Sequence, residues 1–294
     1  MHPRFTRLLN ISHMKPFVQR LPLTEDTSFV ARTYRTPNFE VSWHQHIEYE
    51  LILFTEGAGM SFVGNYVGEF ETGDIFFLGS NLPHTFQKNG EMITSAVVVQ
   101  FREDFWGQEF ISMPECRLLK QLFDASKQGL KIQKQTRIKL QPLIKDLEHL
   151  HGFERVMVLC QCLFMIARDA EFIPLSTQDI KVLNPKDKER IDSVFQYTID
   201  NFQEPISLSD IAKMIGMSIP AFCSYFKKST KKTYTAFLNE VRIGYACKLL
   251  IDSNNAIVQI CYESGFNSFS NFNKQFIKVR KMSPSQYRKL FKEI

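Results

Sequence analysis

Two histidines separated by one residue, His44 and His46, are the best-placed residues of this sequence for chemistry. Side chains alternate between the two faces of a β-strand, so both imidazoles lie on the same face if this stretch is extended. Glu50 follows closely, and His84 lies further along the chain. Imidazole nitrogens together with a carboxylate suit divalent iron, manganese, nickel, cobalt or zinc. The residue types therefore allow a metal centre.

The surrounding segment has the pattern of a sheet protein. Apolar and β-branched runs alternate with turns that contain glycine, which is typical of strands joined by tight connections. Many short strands with regular turns favour an antiparallel sandwich or jelly roll. The strands predicted in this segment cover residues 49–54, 61–67, 75–78 and 94–101.

The spacing of the chemical residues resembles the first motif of the cupin family. In that motif HxH is followed by three residues, a glutamate, six residues and a glycine, as in His44-Gln45-His46, Glu50 and Gly57. Gly73-Asp74 and Leu82-Pro83-His84 resemble the second cupin motif. In metal-binding cupins these three histidines and the glutamate bind one divalent ion inside the barrel. The resemblance implies the same role for His44, His46, Glu50 and His84.

Two alternatives remain open at this point. The same four side chains, with the Trp43 ring beside them, could line a pocket for a sugar or another small molecule instead of binding a metal. A metal-dependent cupin enzyme would use the same ligands with an open coordination position. The expected role of the barrel is to bind a small-molecule effector such as a sugar, and a metal-sensing regulator or a metal-dependent enzyme is the alternative. No cofactor is expected unless these four residues hold a divalent metal, and the C-terminal third of the chain makes a catalytic role unexpected.

The C-terminal third repeats one pattern with an offset of about fifty residues. Each copy reads as a short helix, a turn with glycine, and a second helix that begins after a serine cap, which is the pattern of a helix-turn-helix. The corresponding residues are Ser218, Phe222, Phe226 and Phe237 in one copy and Ser268, Phe272, Phe276 and Tyr287 in the other. The helices expected here cover 187–202, a segment ending at 216, 219–228, 233–252, 256–264, 269–280 and 283–291.

Charge is distributed unevenly between the two parts of the chain. Residues 211–294 contain fourteen Lys and Arg against four Asp and Glu, whereas the rest contains 22 against 27. A basic end on a slightly acidic body indicates a module that binds a polyanion. Together with the repeated helix-turn-helix pattern, this charge makes double-stranded DNA the expected partner.

Residues 187–288 resemble the AraC-type family of bacterial transcription activators. The similarity is carried by Gly216-Met217-Ser218, Tyr245-Ala246, Glu263-Ser264-Gly265-Phe266 and Met282-Ser283-Pro284-Ser285-Gln286-Tyr287-Arg288. The resemblance implies a domain of seven helices whose two helix-turn-helix units enter adjacent segments of the major groove. It also implies a ligand-responsive regulator that works with RNA polymerase.

The resemblance assigns base-reading positions to both copies. They fall on Pro220, Cys223 and Ser224 in the first copy and on Ser270, Asn271, Asn273 and Lys274 in the second. The family usually has Arg at the positions of Ser224 and Lys274, so the second copy is expected to read more of the sequence and the first to act mainly as an anchor. The family also usually has Gly where this chain has Lys231 and Lys281. Phosphate contacts are expected from Lys227, Lys228, Lys231, Lys232, Lys278, Arg280 and Lys281.

The complete prediction is an α+β multidomain protein. A cupin-like jelly roll covers residues 1–105, a helical dimerisation segment 106–172, a linker 173–186, and an all-α double helix-turn-helix domain 187–294. The segment 138–170 has helical apolar spacing and is expected to support a homodimer. Its apolar stripe fits either a dimer seam or an intramolecular core, and consists of Leu143, Leu147, Leu150, Leu159 and Leu163.

The cellular location follows from the cysteines and the apolar runs. The six cysteines show no CxxC pair and no disulfide framework, which is typical of a reducing compartment. Residues 1–15 are too polar for a signal peptide, and the most apolar run, 156–167, is too short to span a bilayer. We expect a cytoplasmic protein without membrane association.

Overall fold

The computed structural model describes residues 17–18, 27–36, 43–88, 92–107, 109–177 and 185–292 of the 294-residue chain. Residues 1–16, at the start of the predicted 1–105 domain, lie outside the described residues. The same holds for residues 178–184, in the predicted linker. All statements below concern the described residues.

Short strands build the N-terminal half. Their bounds are β1 (Phe17–Val18), β2 (Phe29–Arg35), β3 (His44–Gln45), β4 (Tyr49–Glu56), β5 (Ala58–Val63), β6 (Tyr66–Glu71), β7 (Ile75–Leu78), β8 (His84–Lys88), β9 (Ser95–Phe101), β10 (Leu130–Ile132) and β11 (Phe172–Pro174). They form a five-stranded sheet in the order β1-β3-β8-β5-β6 and a six-stranded sheet in the order β11-β10-β7-β4-β9-β2. Apart from the parallel pair β1–β3, the pairings are antiparallel. The expected jelly-roll type of architecture is confirmed.

Strand β4 shows how the two faces of the six-stranded sheet are used. Ile52 and Phe54 pack between the two sheets, whereas Leu51 and Leu53 pack on the opposite face against helices. Because both faces are covered, the strand reads as a continuous apolar run in the sequence. Glu50 is on the same side of the strand as Ile52, so its carboxylate lies inside the barrel.

Three helices cover the outer face of the six-stranded sheet: α1 (Arg117–Ser126), α2 (Lys134–Asp146) and α3 (Gly152–Asp169). Leu147, Leu159 and Leu163 are fully buried in the cluster between these helices and the sheet, and Leu143 packs against it. Four of the five leucines in the stripe of segment 138–170 therefore belong to the intramolecular core, and Leu150 is only half-buried outside this cluster.

The predicted strand 61–67 is wrong, because the chain turns at Gly64 and Asn65 between β5 and β6. Among the strands that the sequence did not predict, β10 and β11 lie outside the predicted jelly-roll segment. β10 pairs with β7 and with β11, so two parts of the chain expected to be helical segment and linker complete the six-stranded sheet. Each has three residues, which is too short to show a clear alternation of polar and apolar side chains. Helices α2 and α3 therefore lie between β10 and β11 along the chain, and both of these strands belong to the six-stranded sheet.

Seven helices form the C-terminal half, in agreement with the expected number. They are α4 (Pro185–Asn201), α5 (Leu208–Met214), α6 (Ile219–Thr230), α7 (Tyr234–Asp252), α8 (Ile257–Glu263), α9 (Phe269–Arg280) and α10 (Pro284–Lys292). No helix in the described part of the chain combines the length and apolar character needed to cross a membrane.

The two helix-turn-helix units have separate cores joined by α7. Phe222 and Phe226 of α6 are fully buried in one cluster, and Phe272 and Phe276 of α9 are fully buried in another. Residues from the first part of α7 belong to the first cluster and residues from its second part to the other. The repeated phenylalanines are therefore scaffold, as the i,i+4 spacing predicted.

The barrel and the C-terminal helices share a core as well. The outer face of the five-stranded sheet contributes Trp43, Met60 and Phe62 to the cluster that contains Phe195 and Phe226. The DNA-binding half is therefore packed directly on the wall of the barrel.

Candidate metal centre and DNA-binding surface

Four predicted ligands meet inside the barrel. His44, His46, Glu50 and His84 each offer one ligand atom, and these atoms all lie within 4.8 Å of one another. Strand pairing brings them together, because His44 on β3 is directly opposite His84 on β8. The four side chains are almost completely buried, with residue exposures between 1% and 6%. The structure thus assembles the set that the spacing suggested.

Backbone carbonyls orient two of the imidazoles. His46 Nδ1 lies 3.0 Å from the Glu48 carbonyl oxygen, and His84 Nδ1 lies 2.8 Å from the Leu82 carbonyl oxygen. A carbonyl only accepts hydrogen bonds, so each Nδ1 carries the proton and, in the neutral ring, each Nε2 presents a lone pair. This arrangement of the second ring nitrogen is common in metal-binding histidines.

Both Nε2 atoms face the same carboxylate. His46 Nε2 is 2.7 Å from Glu50 Oε2, and His84 Nε2 is 3.7 Å from Glu50 Oε1. His84 Nε2 is buried and has no hydrogen-bond partner within the described structure. For His46 a proton on Nε2 makes this contact a hydrogen bond, whereas the unpartnered His84 Nε2 would face the carboxylate favourably only with a cation between them. Three imidazoles and one carboxylate are a donor set that fits a first-row divalent metal.

The pKa values of Glu50 and His46 both favour the charged form of the side chain, although the site is buried. Burial disfavours ionised Glu50, but the hydrogen bond from His46 and the neighbouring imidazoles of His84 and His46 outweigh burial and hold the Glu50 pKa well below its ordinary value. Burial also opposes protonation of His46, yet the hydrogen bond to Glu50 and the nearby carboxylate charges raise the His46 pKa. A metal ion would replace the proton on His46, since ligation requires the unprotonated nitrogen.

Gln100 belongs to the site but was missed in the sequence. It is directly opposite Glu50 on the neighbouring strand β9, and its Nε2 donates to Glu50 Oε2 at 2.6 Å. Gln100 also lies 3.3 Å from His46 Nε2. The sequence did contain a signal for Gln100, because this polar residue interrupts the apolar run of strand β9. A buried polar side chain needs a hydrogen-bond partner.

Trp43 was predicted to line the ligand pocket, and this prediction is wrong. Its side chain is 1% exposed and lies in the core between the barrel and the C-terminal helices. The indole packs edge-on against Phe195 of α4, with ring centroids 5.7 Å apart. Side chains alternate along an extended chain, so Trp43 points away from the face that carries His44. Trp43 therefore directly precedes the candidate ligand His44 and packs against the DNA-binding half.

Serine side chains cap both helices that are expected to read DNA, α6 and α9, here called the recognition helices. Ser218 Oγ accepts the Ala221 N–H, and Ser268 Oγ accepts the Asn271 N–H, each at 3.4 Å. Equivalent caps at equivalent positions support the duplication inferred from the sequence.

The predicted DNA-reading residues lie on the outer faces of these helices. In α6 the exposed residues include Pro220, Cys223, Ser224 and Lys227. In α9 they include Ser270, Asn271 and Lys274, whereas Asn273 is half-buried. The structure leaves each set accessible and brings its members together on one helix; their contacts with bases remain a prediction.

The basic residues divide into two groups. Five of those predicted to meet phosphate are exposed: Lys227, Lys228, Lys231, Lys278 and Lys281. The other two, Lys232 and Arg280, form ion pairs within the chain. Lys232 Nζ is 2.7 Å from Glu240 Oε2, and Arg280 Nη2 is 2.8 Å from Glu69 Oε1. For Lys232 and Arg280 the expectation of a free phosphate-binding group is not met in this arrangement.

Two lysines occupy positions where the resembling family usually has glycine. Lys231 and Lys281 end the two recognition helices with φ of 60° each, in the left-handed region. Only glycine adopts this conformation without steric cost, which explains the family preference. Lys231 and Lys281 adopt this conformation as well, and the steric strain lowers the stability of the folded protein.

Two family models match the chain. Residues 211–290 match a helix-turn-helix domain, and residues 27–137 match an AraC-like ligand binding domain. The two matches coincide with the duplicated helical unit and with most of the barrel.

Similar proteins include the HTH-type transcriptional activator RhaR of Mannheimia succiniciproducens. It is 22% identical over 298 residues, which cover 97% of this chain and 99% of that protein. The melibiose operon regulatory protein of Escherichia coli is 27% identical over 100 residues, or 34% of this chain and 33% of its own. The structure of ToxT from Vibrio cholerae is similar over 91% of this chain and 99% of its own, with 17% identity and a TM-score of 0.39.

Proposed function

The chain belongs to the AraC-type family of transcription regulators, and from this premise we propose how its two halves act. The recognition helices bind promoter DNA in adjacent segments of the major groove. The barrel binds an effector that controls this binding, and the shared core around Trp43 and Phe195 couples the two events. The relatives are named as regulators, so we propose no catalytic role.

Activation, location and the transcription machinery are further parts of this proposal. The relative RhaR is named as a transcriptional activator, and we propose activation here with RNA polymerase as partner. A regulator that binds promoter DNA in a bacterium works in the cytoplasm, which also suits six free cysteines.

The effector that the geometry supports best is a first-row divalent metal ion. The observation that carries this proposal is the pair of Nε2 atoms of His46 and His84, both directed at the Glu50 carboxylate with their Nδ1 atoms bonded to carbonyls. The ion would be held by His44, His46, Glu50 and His84. It would thereby fix these four positions of the barrel relative to one another. Gln100 would orient Glu50.

DNA binding at controlled metal content tests this function. Protein depleted of metal by a chelator is titrated with zinc, manganese, iron, cobalt and nickel while its affinity for a selected promoter fragment is measured by fluorescence anisotropy. We expect one of these metals to change the affinity at least tenfold in the wild type and to have no effect on Glu50→Gln or His84→Ala. If every metal leaves the affinity unchanged while a sugar alters it, the effector is organic and the metal proposal is wrong.

We also propose that the protein is a homodimer and that a second copy binds along α3. With most of the leucine stripe occupied by the core, the opposite face of α3 presents Phe153, Met157 and Phe164, which are 73%, 51% and 48% exposed. Their spacing places them on one side of the helix, as in a coiled-coil seam. Glu154 and Arg168 lie at opposite ends of this face, so an antiparallel partner would place unlike charges together.

A further inference from the structure

The β5–β6 hairpin projects from the barrel onto the DNA-binding half. β5 and β6 pair along their full length and meet at the turn of Gly64 and Asn65. Met60 and Val67, on the outer side of the hairpin, lie against Gly244 in the middle of α7. A Cβ at Gly244 would come within 2.2 Å of Met60 Cε, so a side chain there would collide with the hairpin unless Met60 moved. Glycine is unfavourable inside a helix, and the close approach of the hairpin accounts for it.

The tip of the hairpin contacts the end of the first recognition helix. Asn65 is fully buried, and its Nδ2 donates to the carbonyl oxygen of Thr230, the last residue of α6. Lys232, just beyond that helix, donates from Nζ to the Asn65 carbonyl oxygen at 3.0 Å. The Asn65 Oδ1 atom accepts from Ser176 Oγ at 2.8 Å. The first recognition helix is therefore fixed to the barrel at its C-terminal end.

The outgoing strand of the hairpin contacts the end of the second recognition helix. Glu69 Oε1 accepts from Arg280 Nη2 at 2.8 Å and from Tyr287 Oη at 2.6 Å. Arg280 is the last residue of α9, and Tyr287 lies in α10. The side chains of Arg280 and Glu69 are 19% and 36% exposed, so this ion pair is partly shielded from solvent, and the second hydrogen bond from Tyr287 holds the Glu69 carboxylate in place.

The two contacts are equivalent in the duplication. Thr230 and Arg280 are fifty residues apart and end the two recognition helices, each followed by a lysine in the left-handed region. They meet hairpin residues that are four apart, Asn65 and Glu69. A single rigid hairpin therefore bridges the same point of both copies, in addition to the covalent link through α7.

We propose that the β5–β6 hairpin sets the relative orientation of the two recognition helices, and that Glu69 is a positioning residue for DNA recognition. This inference rests on the proposed function. The hairpin holds the C-terminal ends of the helices, whereas the predicted reading residues, such as Ser224 and Lys274, stay exposed. The contact therefore aligns the reading surfaces without covering them. Two helix-turn-helix units that are aligned before binding engage two groove segments at a lower entropic cost.

The affinities for a duplex with two binding segments and for a duplex with one are compared. This comparison distinguishes a positioning role of Glu69 from a general loss of DNA binding. The wild-type chain first selects a duplex from a random library, and footprinting locates the two protected segments. Fluorescence anisotropy then gives the affinity of full-length Glu69→Gln and Glu69→Ala for this duplex and for one in which a single segment is scrambled. Circular dichroism checks that each variant unfolds at the wild-type temperature. Glu71→Gln is the control, since Glu71 is exposed on the same strand and forms no ion pair in the described structure.

We expect Glu69→Ala to weaken binding to the two-segment duplex about tenfold and binding to the one-segment duplex less than about twofold. Glu69→Gln should give a smaller change in the same direction, because it keeps a hydrogen-bond acceptor for Tyr287. Glu71→Gln should match the wild type on both duplexes. Equal losses on the two duplexes, unchanged affinity, or tighter binding would each overturn the positioning role. If the wild-type chain selects no duplex, the proposed function itself fails.

Discussion

The salt dependence of DNA binding gives a quantitative check on the charged surface of the recognition helices. Lys227, Lys228, Lys231, Lys278 and Lys281 are exposed, whereas Lys232 and Arg280 are held by Glu240 and Glu69. Each lysine that meets a phosphate releases condensed counterions from the duplex, so log K falls with log salt concentration by about 0.9 per contact. Five contacts give a slope of about −4.5 per bound chain. The affinity should then fall about 500-fold between 50 and 200 mM salt.

Single substitutions refine this prediction. Lys278→Ala should make the slope shallower by about 0.9, because it removes one phosphate contact. Lys232→Ala is the matched control and should leave the slope unchanged, since the Lys232 ammonium is bound to Glu240 and to the Asn65 carbonyl. Fluorescence anisotropy at several KCl concentrations measures both slopes. A wild-type slope shallower than about −2, or equal effects of the two substitutions, would refute the division of the basic residues.

Three further predictions concern base reading, helix ends and assembly. Asn273→Ala and Lys274→Ala should each abolish discrimination between promoter and unrelated DNA, because the side chains that pair with base edges contribute about 1–3 kcal/mol of discrimination; unchanged footprints would contradict this assignment. Lys281→Gly should raise the free energy of unfolding by about 0.5–1 kcal/mol in urea titrations, since it relieves the left-handed strain at φ of 60°. No gain in stability would show that the helix end is not strained. Phe164→Glu should convert a dimer to a monomer in sedimentation velocity, whereas Ile173→Glu, also exposed but on β11, should leave the dimer intact. A dimer that survives Phe164→Glu would place the interface elsewhere.

The C-terminal half was predictable because its signals are local. Serine caps, glycine turns and phenylalanines at i,i+4 lie within single helices, and α9 has the bounds expected from the sequence, Phe269–Arg280. The duplication added a second, independent reading of the same pattern. α6 extends two residues beyond the expected end, where Thr230 bonds its hydroxyl back to the Phe226 carbonyl.

The parts that sequence reasoning missed depend on contacts between distant residues. Trp43 was expected to line the pocket because an aromatic ring suits the face of a sugar, but in the fold its indole packs against Phe195. Gln100 joined the site only through the pairing of β4 with β9. Arg280 looked like a phosphate-binding residue because the sequence gives no sign that Glu69, 211 residues earlier, lies beside it.

Direct metal analysis of the purified chain tests the central claim, that the cluster of three histidines and Glu50 holds a metal ion. The protein is purified without a histidine tag or a chelator, and its metal content is measured by inductively coupled plasma mass spectrometry beside that of Glu50→Gln and His84→Ala. We predict about one first-row divalent metal ion per wild-type chain and a loss of nearly all of it in both variants. A wild-type chain without a stoichiometric metal, or variants that retain it, would contradict the account.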